Sequence, residues 1–268
     1  LPDLFRGDQL IVAGRYSGSG EVEAKLTGMA DGREQTFTYK LKFDDKNTTN
    51  DFVPRLWATR RVGFLLDEIR IHGETTELRD EVTDLARRYG IVTPYTAYLI
   101  VEDEDRRRVP MADRALQGMT ADTAAREEVS KAWIGFKEKK EGDDGVANAR
   151  SQNAFKFAAQ APASIAAGNL ESLRGFTAAV PSAAATPAAK RLTEYTQQSK
   201  FVNGRAFYQN GKQWIDSTAQ NTTKRQRLQF NSDDYFQLLS KHPEAAPWLA
   251  LGQNVVLALD NTVYEITD

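Results

Sequence analysis

The chain contains no cysteine, and its 268 residues include only two histidines and three methionines. Without thiols there can be no disulfide framework, thiolate metal site or cysteine nucleophile, although many exported proteins also lack cysteine, so the compartment stays open. The histidines, His72 and His242, belong to no H-x-x-x-H or H-E-x-x-H pair, which removes the usual spacing for zinc. Each lies at the predicted end of a helix, where a structural role is expected. No G-x-S-x-G, Walker A or G-x-G-x-x-G pattern occurs, and Gly18-Ser19-Gly20 is long enough only for a turn. No apolar run approaches the ~18 residues of a membrane-spanning helix. Charge of a single sign is missing too: 35 Lys and Arg stand against 37 Asp and Glu, a net of −2. No global basic field therefore points to nucleic acid or an anionic membrane.

What is present is ordinary for a soluble protein: 41% hydrophobic and 27% charged residues, in a length that suits two domains. The most patterned stretch runs from Phe52 to Asp103. Asn50 or Asp51 is a plausible N-cap, with Pro54 in the first turn. Val53, Leu56, Trp57, Phe64, Leu65 and Ile69 recur at helical spacing, and Leu66 and Ile71 widen that face. Gly73 ends this helix. Thr75 then caps a second, with Leu78, Val82 and Leu85 inward and Arg87-Arg88-Tyr89-Gly90 as its C-terminal signal. The run Ile91 to Val101 is rich in β-branched and aromatic residues and predicts a strand, with Pro94 near its start.

Ahead of this block, alternation over Leu10–Tyr16, Val22–Leu26 and Phe37–Phe43, with turns at Ser17–Gly20 and Asp31-Gly32, predicts a three-stranded antiparallel meander or partial sandwich. Such a sheet is small enough to need completion by another segment, and otherwise shows an open edge. Behind it, Glu104–Arg108 is a mixed charge run. Thr120 or Asp122 caps a helix to about Lys140 that carries Val129, Trp133 and Phe136, and a further helix is expected near 146–160. Glu141–Gly145 breaks between them, and its acids lack calcium-loop spacing. Pro181–Ala189 reads as a linker. From about 191, a hairpin is expected around Asn210-Gly211 between Phe201–Tyr208 and Gln213–Asp216, then a strand Arg227–Phe230. A helix capped by Ser232 follows, packing Tyr235, Phe236, Leu238 and Leu239, and a last hairpin turns at Asp260-Asn261. The predicted class is α+β: an antiparallel sheet or partial sandwich, a helical region, an Ala-rich linker and a small C-terminal α+β module. The predicted segments are 1–103, 104–190 and 191–268.

The stretch PRLWATRRVGFLLDEIRIHG…ELRDEVTDLARRYGIVTPYTAYLIVED, with the opening LPDLFRGDQLIVAGRYSGSGEVEAKLTG, resembles the region after the von Willebrand factor A domain in bacterial VIT/VWA proteins. These are relatives of the inter-alpha-trypsin inhibitor heavy chains. The likeness covers about residues 1–103. The segment GRAFYQNGKQWIDS…YFQLLSKHPEAAPWLALGQNVVLALDNTVYEI resembles the C-terminal end of some bacterial members. The resemblance implies an exported, extracytoplasmic, non-enzymatic structural or interaction segment without a cofactor. Its partners would be another protein or VIT and A domains lying upstream, and the start at Leu1 fits such a piece. The A domain's D-x-S-x-S metal motif does not occur here, so no metal ligand is carried over. The heavy chains also attach to glycosaminoglycan through a C-terminal Asp. The ending Ile266-Thr267-Asp268 has no processing motif around it, and that chemistry is not carried over either.

The residues themselves offer an alternative: a glycan- or polyanion-binding module in 191–268. Tyr208 and Trp214 among Lys212 and Arg227 are the aromatic and basic residues that such a ligand would use, although aromatics in so small a module also serve as its core. A hydrolase would require a pocket that gathers titratable groups with displaced pKa values. Asp67-Glu68 and Asp233-Asp234 lie on predicted helix faces or first turns and do not define a catalytic pair. The triplets Asn47-Thr48-Thr49 and Asn221-Thr222-Thr223 match the glycosylation pattern by coincidence.

Overall fold

The computed structural model describes residues 10–45, 52–107, 116–158, 191, 194–195, 198–219 and 224–268. The Asn50 and Asp51 caps, the Pro181–Ala189 linker and both Asn-Thr-Thr triplets lie outside them, in whole or in part. The chain divides into two compact units, 1–53 and 54–268.

In the first unit, two 11-residue strands, β1 (Gly20–Ala30) and β2 (Arg33–Phe43), pair antiparallel along their full length. Asp31 (φ 50°) and Gly32 (φ 72°) close them in the left-handed pair of a type I′ turn, which matches the twist of the strands. The expected third strand, Leu10–Tyr16, is not one: no described residue before Gly20 joins a ladder. Tyr16 instead stacks on Phe43 at 4.3 Å and donates its hydroxyl to the Asp44 carbonyl. The alternation in 10–16 is apolar on both faces, and no described strand pairs with it to fix it.

The second unit takes in α1 (Phe52–His72) from its third residue on, and then α2 (Thr76–Tyr89). The Thr75 hydroxyl accepts from Leu78 N and Gly90 adopts αL, as the cap and stop signals predicted. Arg61 clamps Glu81 through two bonds of 2.7 and 2.9 Å, tying α1 to α2. The inward face of α1 is Leu56, Ala58, Val62, Leu65, Leu66 and Ile69. Phe64 and Ile71, expected inward, are about half exposed. The small residues Ala58 and Gly63 let other elements approach, and a periodicity count of large side chains alone misses them. A Cβ on Gly63 would sit 2.6 Å from the Phe155 Cβ.

The predicted strand at 91–101 is a helix, α3 (Pro94–Arg107). Thr93 and Thr96 cap it reciprocally: Thr96 N donates to Thr93 Oγ1 at 3.1 Å and Thr93 N to Thr96 Oγ1 at 2.8 Å. This is a capping box with threonine at N3, and Pro94 at N1 is pre-set for a helix start. Tyr95, Ala97, Leu99, Ile100 and Val101 are all buried, so α3 is apolar on most sides and runs through the centre of the helical core. Tertiary burial here overrides β propensity. Next come α4 (Gln117–Ala121), α5 (Thr123–Glu138), capped by Asp122, and α6 (Gly142–Lys156). Val129, Trp133 and Phe136 are buried as predicted, with Phe136 against Tyr95 at 4.4 Å and Trp133 stacked on Tyr98 at 5.6 Å.

The C-terminal part is one six-stranded mixed sheet in the order β3-β4-β5-β7-β8-β6, from β3 (Ser199–Val202), β4 (Arg205–Asn210), β5 (Gln213–Asp216), β6 (Arg225–Gln229), β7 (Val255–Leu259) and β8 (Thr262–Thr267). Between β6 and β7 lie α7 (Asp233–Lys241), a 3-10 turn (Pro243–Ala245) and α8 (Ala246–Leu249). The predicted long strand Phe201–Tyr208 is folded in two at Asn203-Gly204, a second type I′ turn (φ 44° and 79°). The predicted strand Arg227–Phe230 lies two residues earlier at its start. The β5–β7 and β6–β8 pairings are parallel, joining what reads as separate hairpins into one sheet. On one face Phe207, Trp214, Val255, Ile266 and Leu228 pack under Tyr235, Leu238 and Trp248; Phe236 of α7, expected inward, is half exposed. The opposite face places Tyr208 and Ala206 against the helical core. Sheet and helices are thus joined within the second unit. The whole is α+β: an N-terminal hairpin, a helical region, and a C-terminal mixed sheet with short helices.

Candidate functional site

The four residues proposed as ligand contacts do not converge. Tyr208 is fully buried, and its hydroxyl donates to the last carbonyls of α2, Ala86 O at 2.9 Å and Arg87 O at 3.1 Å. Trp214 lies on the opposite face, because Tyr208 pairs with Ile215 while Trp214 pairs with Gln209. Lys212 sits in the β4–β5 turn. Arg227 is on the far edge strand, beyond β7 and β8, and with Arg225 holds Glu265 at 2.9 and 2.8 Å. Arg205 and Trp248 belong to a structural node. Asp216, with no exposed surface, accepts from Arg205 Nη1 at 2.8 Å, Thr218 N at 2.9 Å, Thr218 Oγ1 at 2.8 Å and Ala258 N at 3.2 Å. The Arg205 guanidinium lies 4.1 Å from the Trp248 ring centre, and the indole N–H donates to Val202 O. A charge buried this way must be fully bonded to be tolerated, and this one is.

The displaced titrations also mark packing. Burial pushes the Tyr95 hydroxyl up; it donates to Asn148 Oδ1 within the core. Burial raises Asp67, but hydrogen bonds from Lys156 and Arg70 outweigh it and hold the carboxyl below its usual value. Glu265 behaves alike: burial opposes, and Arg225 and Arg227 prevail. His72 is exposed beside Glu68, and His242 stands at the end of α7 with Nδ1 3.2 Å from Glu244. Among the described residues no group of three His, Asp or Glu side chains is placed to hold a metal ion. Two of the concavities that the described residues form are well shaped enough to compare. One, of about 340 Å³, lies on the hairpin between Glu21–Glu23 and Lys40–Lys42. The other, of about 310 Å³, is a mostly apolar groove between Phe230, Tyr235, Leu239 and Leu249. Neither collects the groups with displaced pKa values. No described helix is long and apolar enough to cross a membrane.

The feature that stands out is the hairpin. Its register puts Val22 opposite Leu41, Ala24 opposite Tyr39 and Leu26 opposite Phe37, all on one face. Glu21, Glu23, Lys25, Lys40 and Lys42 occupy the other. The apolar face is nonetheless open: Val22 and Leu41 are 43% exposed, Phe37 and Tyr39 52%. The alternation was legible in the sequence; the exposure of its apolar side among the described residues was not.

Comparison with known proteins finds a likeness in sequence to inter-alpha-trypsin inhibitor heavy chains. No family model matches, and no solved structure matches. The chain is 23% identical over 127 residues to human inter-alpha-trypsin inhibitor heavy chain H4, an alignment covering 43% of this chain and 14% of that protein. It is 25% identical over 135 residues to mouse inter-alpha-trypsin inhibitor heavy chain H3, covering 46% and 15%. The likeness is distant and partial, and the matches span about one-seventh of the length of these curated relatives.

Proposed function

We propose that the chain is a non-catalytic structural and interaction segment of an exported VIT/VWA-like protein, in which the hairpin β1–β2 completes a sheet layer with strands from elsewhere in a longer polypeptide. The carrying observation is the open apolar face of Val22, Phe37, Tyr39 and Leu41 on a two-stranded hairpin. A hairpin of this kind is marginal alone and gains stability from a third strand or a packed layer. Alternation this regular on a face exposed to water is what a covered position would select. The partial likeness to inter-alpha-trypsin inhibitor heavy chains supports placement in a larger protein. The second unit follows it in the chain and has its own buried core.

The test is a pair of substitutions, Phe37→Asp with Leu41→Asp, read in two settings. In the 268-residue chain the melting of the second unit should be unchanged. In the longer polypeptide, with VIT-like and A domains present, the same change should destabilise by about 2–4 kcal/mol, the cost of burying charge in an apolar layer. Equal stability in both settings would remove the reading.

A further inference from the structure

The β3 strand is an outer strand of the six-stranded sheet. Gln209 N donates to Gln198 O at 2.9 Å, so in the alternating antiparallel pattern Gln198, Lys200 and Val202 face β4. Ser199 and Phe201 therefore turn their N–H and C=O groups away from the sheet, toward an edge to which no described strand is paired. Around that edge three cations lie over aromatic rings. The Arg55 guanidinium is 5.3 Å from the Phe201 ring centre, that of Arg88 5.7 Å from Tyr89, and the Lys200 ammonium 4.5 Å from Trp214. Trp57, Tyr89 and Phe201 form a half-buried aromatic row at 6.3 and 6.1 Å. No described carboxylate is within ion-pair range of Arg55, Arg88 or Lys200, whereas Arg61, Arg70, Arg87 and Arg205 each have one. Arg55 gives one hydrogen bond, from Nη2 to Gly90 O at 3.2 Å, and its buried Nε has no acceptor. Its charge is costly where it stands: burial lowers the guanidinium pKa, with Tyr208 acting in the other direction.

We propose that the β3 edge is a docking site for an extended, acidic segment of a partner protein, which adds as a seventh strand. Its backbone bonds Ser199 and Phe201. Its side chains alternate across the sheet, so carboxylates on one side meet Arg55 and Arg88 and those on the other meet Lys200. The aromatic row supplies the apolar flank. A strand explains both features together, the unpaired backbone and the cations without acids, whereas a polyanion without a strand-forming backbone uses only the second. This surface lies in the second unit, so its failure would leave the hairpin reading standing, and the reverse holds too.

The probe is a short acetylated, labelled peptide of glutamate pairs separated by valines, with a glutamine-for-glutamate version as control and a heparin fragment as competitor. Added to the 268-residue chain, the acidic peptide should bind while the glutamine version does not. Arg55→Gln and Lys200→Gln should each weaken binding about tenfold, or about 1.4 kcal/mol. On saturation the amides of Ser199 and Phe201 should exchange at least about tenfold more slowly, and those of Lys200 and Val202, already facing β4, should not change. Should Arg55→Gln lower the melting temperature, the exposed Lys200 variant still decides. Failure of the peptide to bind, equal binding of the glutamine version, binding without slowed exchange at Ser199 and Phe201, or binding of heparin alone would each overturn the proposal.

Discussion

Tyr208 distinguishes the two roles an aromatic residue can play in this sheet. Its hydroxyl reaches two carbonyls at the C-terminal end of α2, and its ring lies in the helical core with no exposed surface. Tyr208→Phe removes the hydroxyl and keeps the ring. One proton is shared between two acceptors, and Ala86 O also accepts from Ile91 N at 3.0 Å, so the carbonyls are not orphaned. The expected cost is therefore an ordinary net hydrogen bond, about 1 kcal/mol, rather than the larger penalty of a buried group left unsatisfied. For a cooperative unit of this size that corresponds to a fall in melting temperature of roughly 2–4 °C. Tyr208→Ala opens a cavity and should cost about 3–5 kcal/mol. Far-UV and near-UV circular dichroism should report the same transition, because the bond joins β4 to α2. Were Tyr208→Phe to melt like the parent, or were the sheet to melt separately from the helices, the assignment of Tyr208 as the joint between them would be refuted.

Gly63→Ala should destabilise by about 1–3 kcal/mol, read by urea unfolding, because the new methyl meets the Phe155 Cβ and, at 2.9 Å, the Lys156 backbone nitrogen. Thr93→Ala removes the cap of α3 and should cost about 1–2 kcal/mol in the same assay. Asp67 and Glu265 have depressed folded-state pKa values, so their contribution is full above the unfolded values and is lost as pH falls from there through the folded ones. Stability should thus decline below about pH 4.5. In the double variant Asp67→Asn, Glu265→Gln the decline should be shallower, checked by thermal melts across an acid series.

The parts of the fold read from local chemistry were those where one residue type meets one geometric need. Thr75 and Gly90 bracket α2, Asp122 and Ser232 cap their helices, and Asp31-Gly32 and Asp260-Asn261 turn their hairpins. Asn210-Gly211 also marked a turn, although the loop residues are Gly211 and Lys212, since Asn210 pairs with Gln213. Misreadings arose where burial outweighed propensity. Ile91–Val101 looked like a strand because a helix buried on most sides shows no polar face. The cue to the contrary was Thr93-Pro94-x-Thr96, a helix start read instead as a strand entry. Asn203-Gly204 carried the same turn signal as Asn210-Gly211 but stood inside an aromatic run. The candidate site was the least legible. Aromatics and bases that looked like a binding set serve different faces of one sheet, and only pairing across β5–β7 and β8–β6 reveals that.

Amide hydrogen exchange distinguishes a hairpin whose apolar face is completed by another layer from one that stands alone. In the 268-residue chain, amides of Val22–Leu26 and Phe37–Leu41 should exchange orders of magnitude faster than those of Val62–Ile69 and Leu99–Val101. In the longer polypeptide that carries the VIT-like and A domains, the hairpin amides should become as protected as the helical core. Strong protection of the hairpin in the 268-residue chain, or none in the longer polypeptide, would contradict the account.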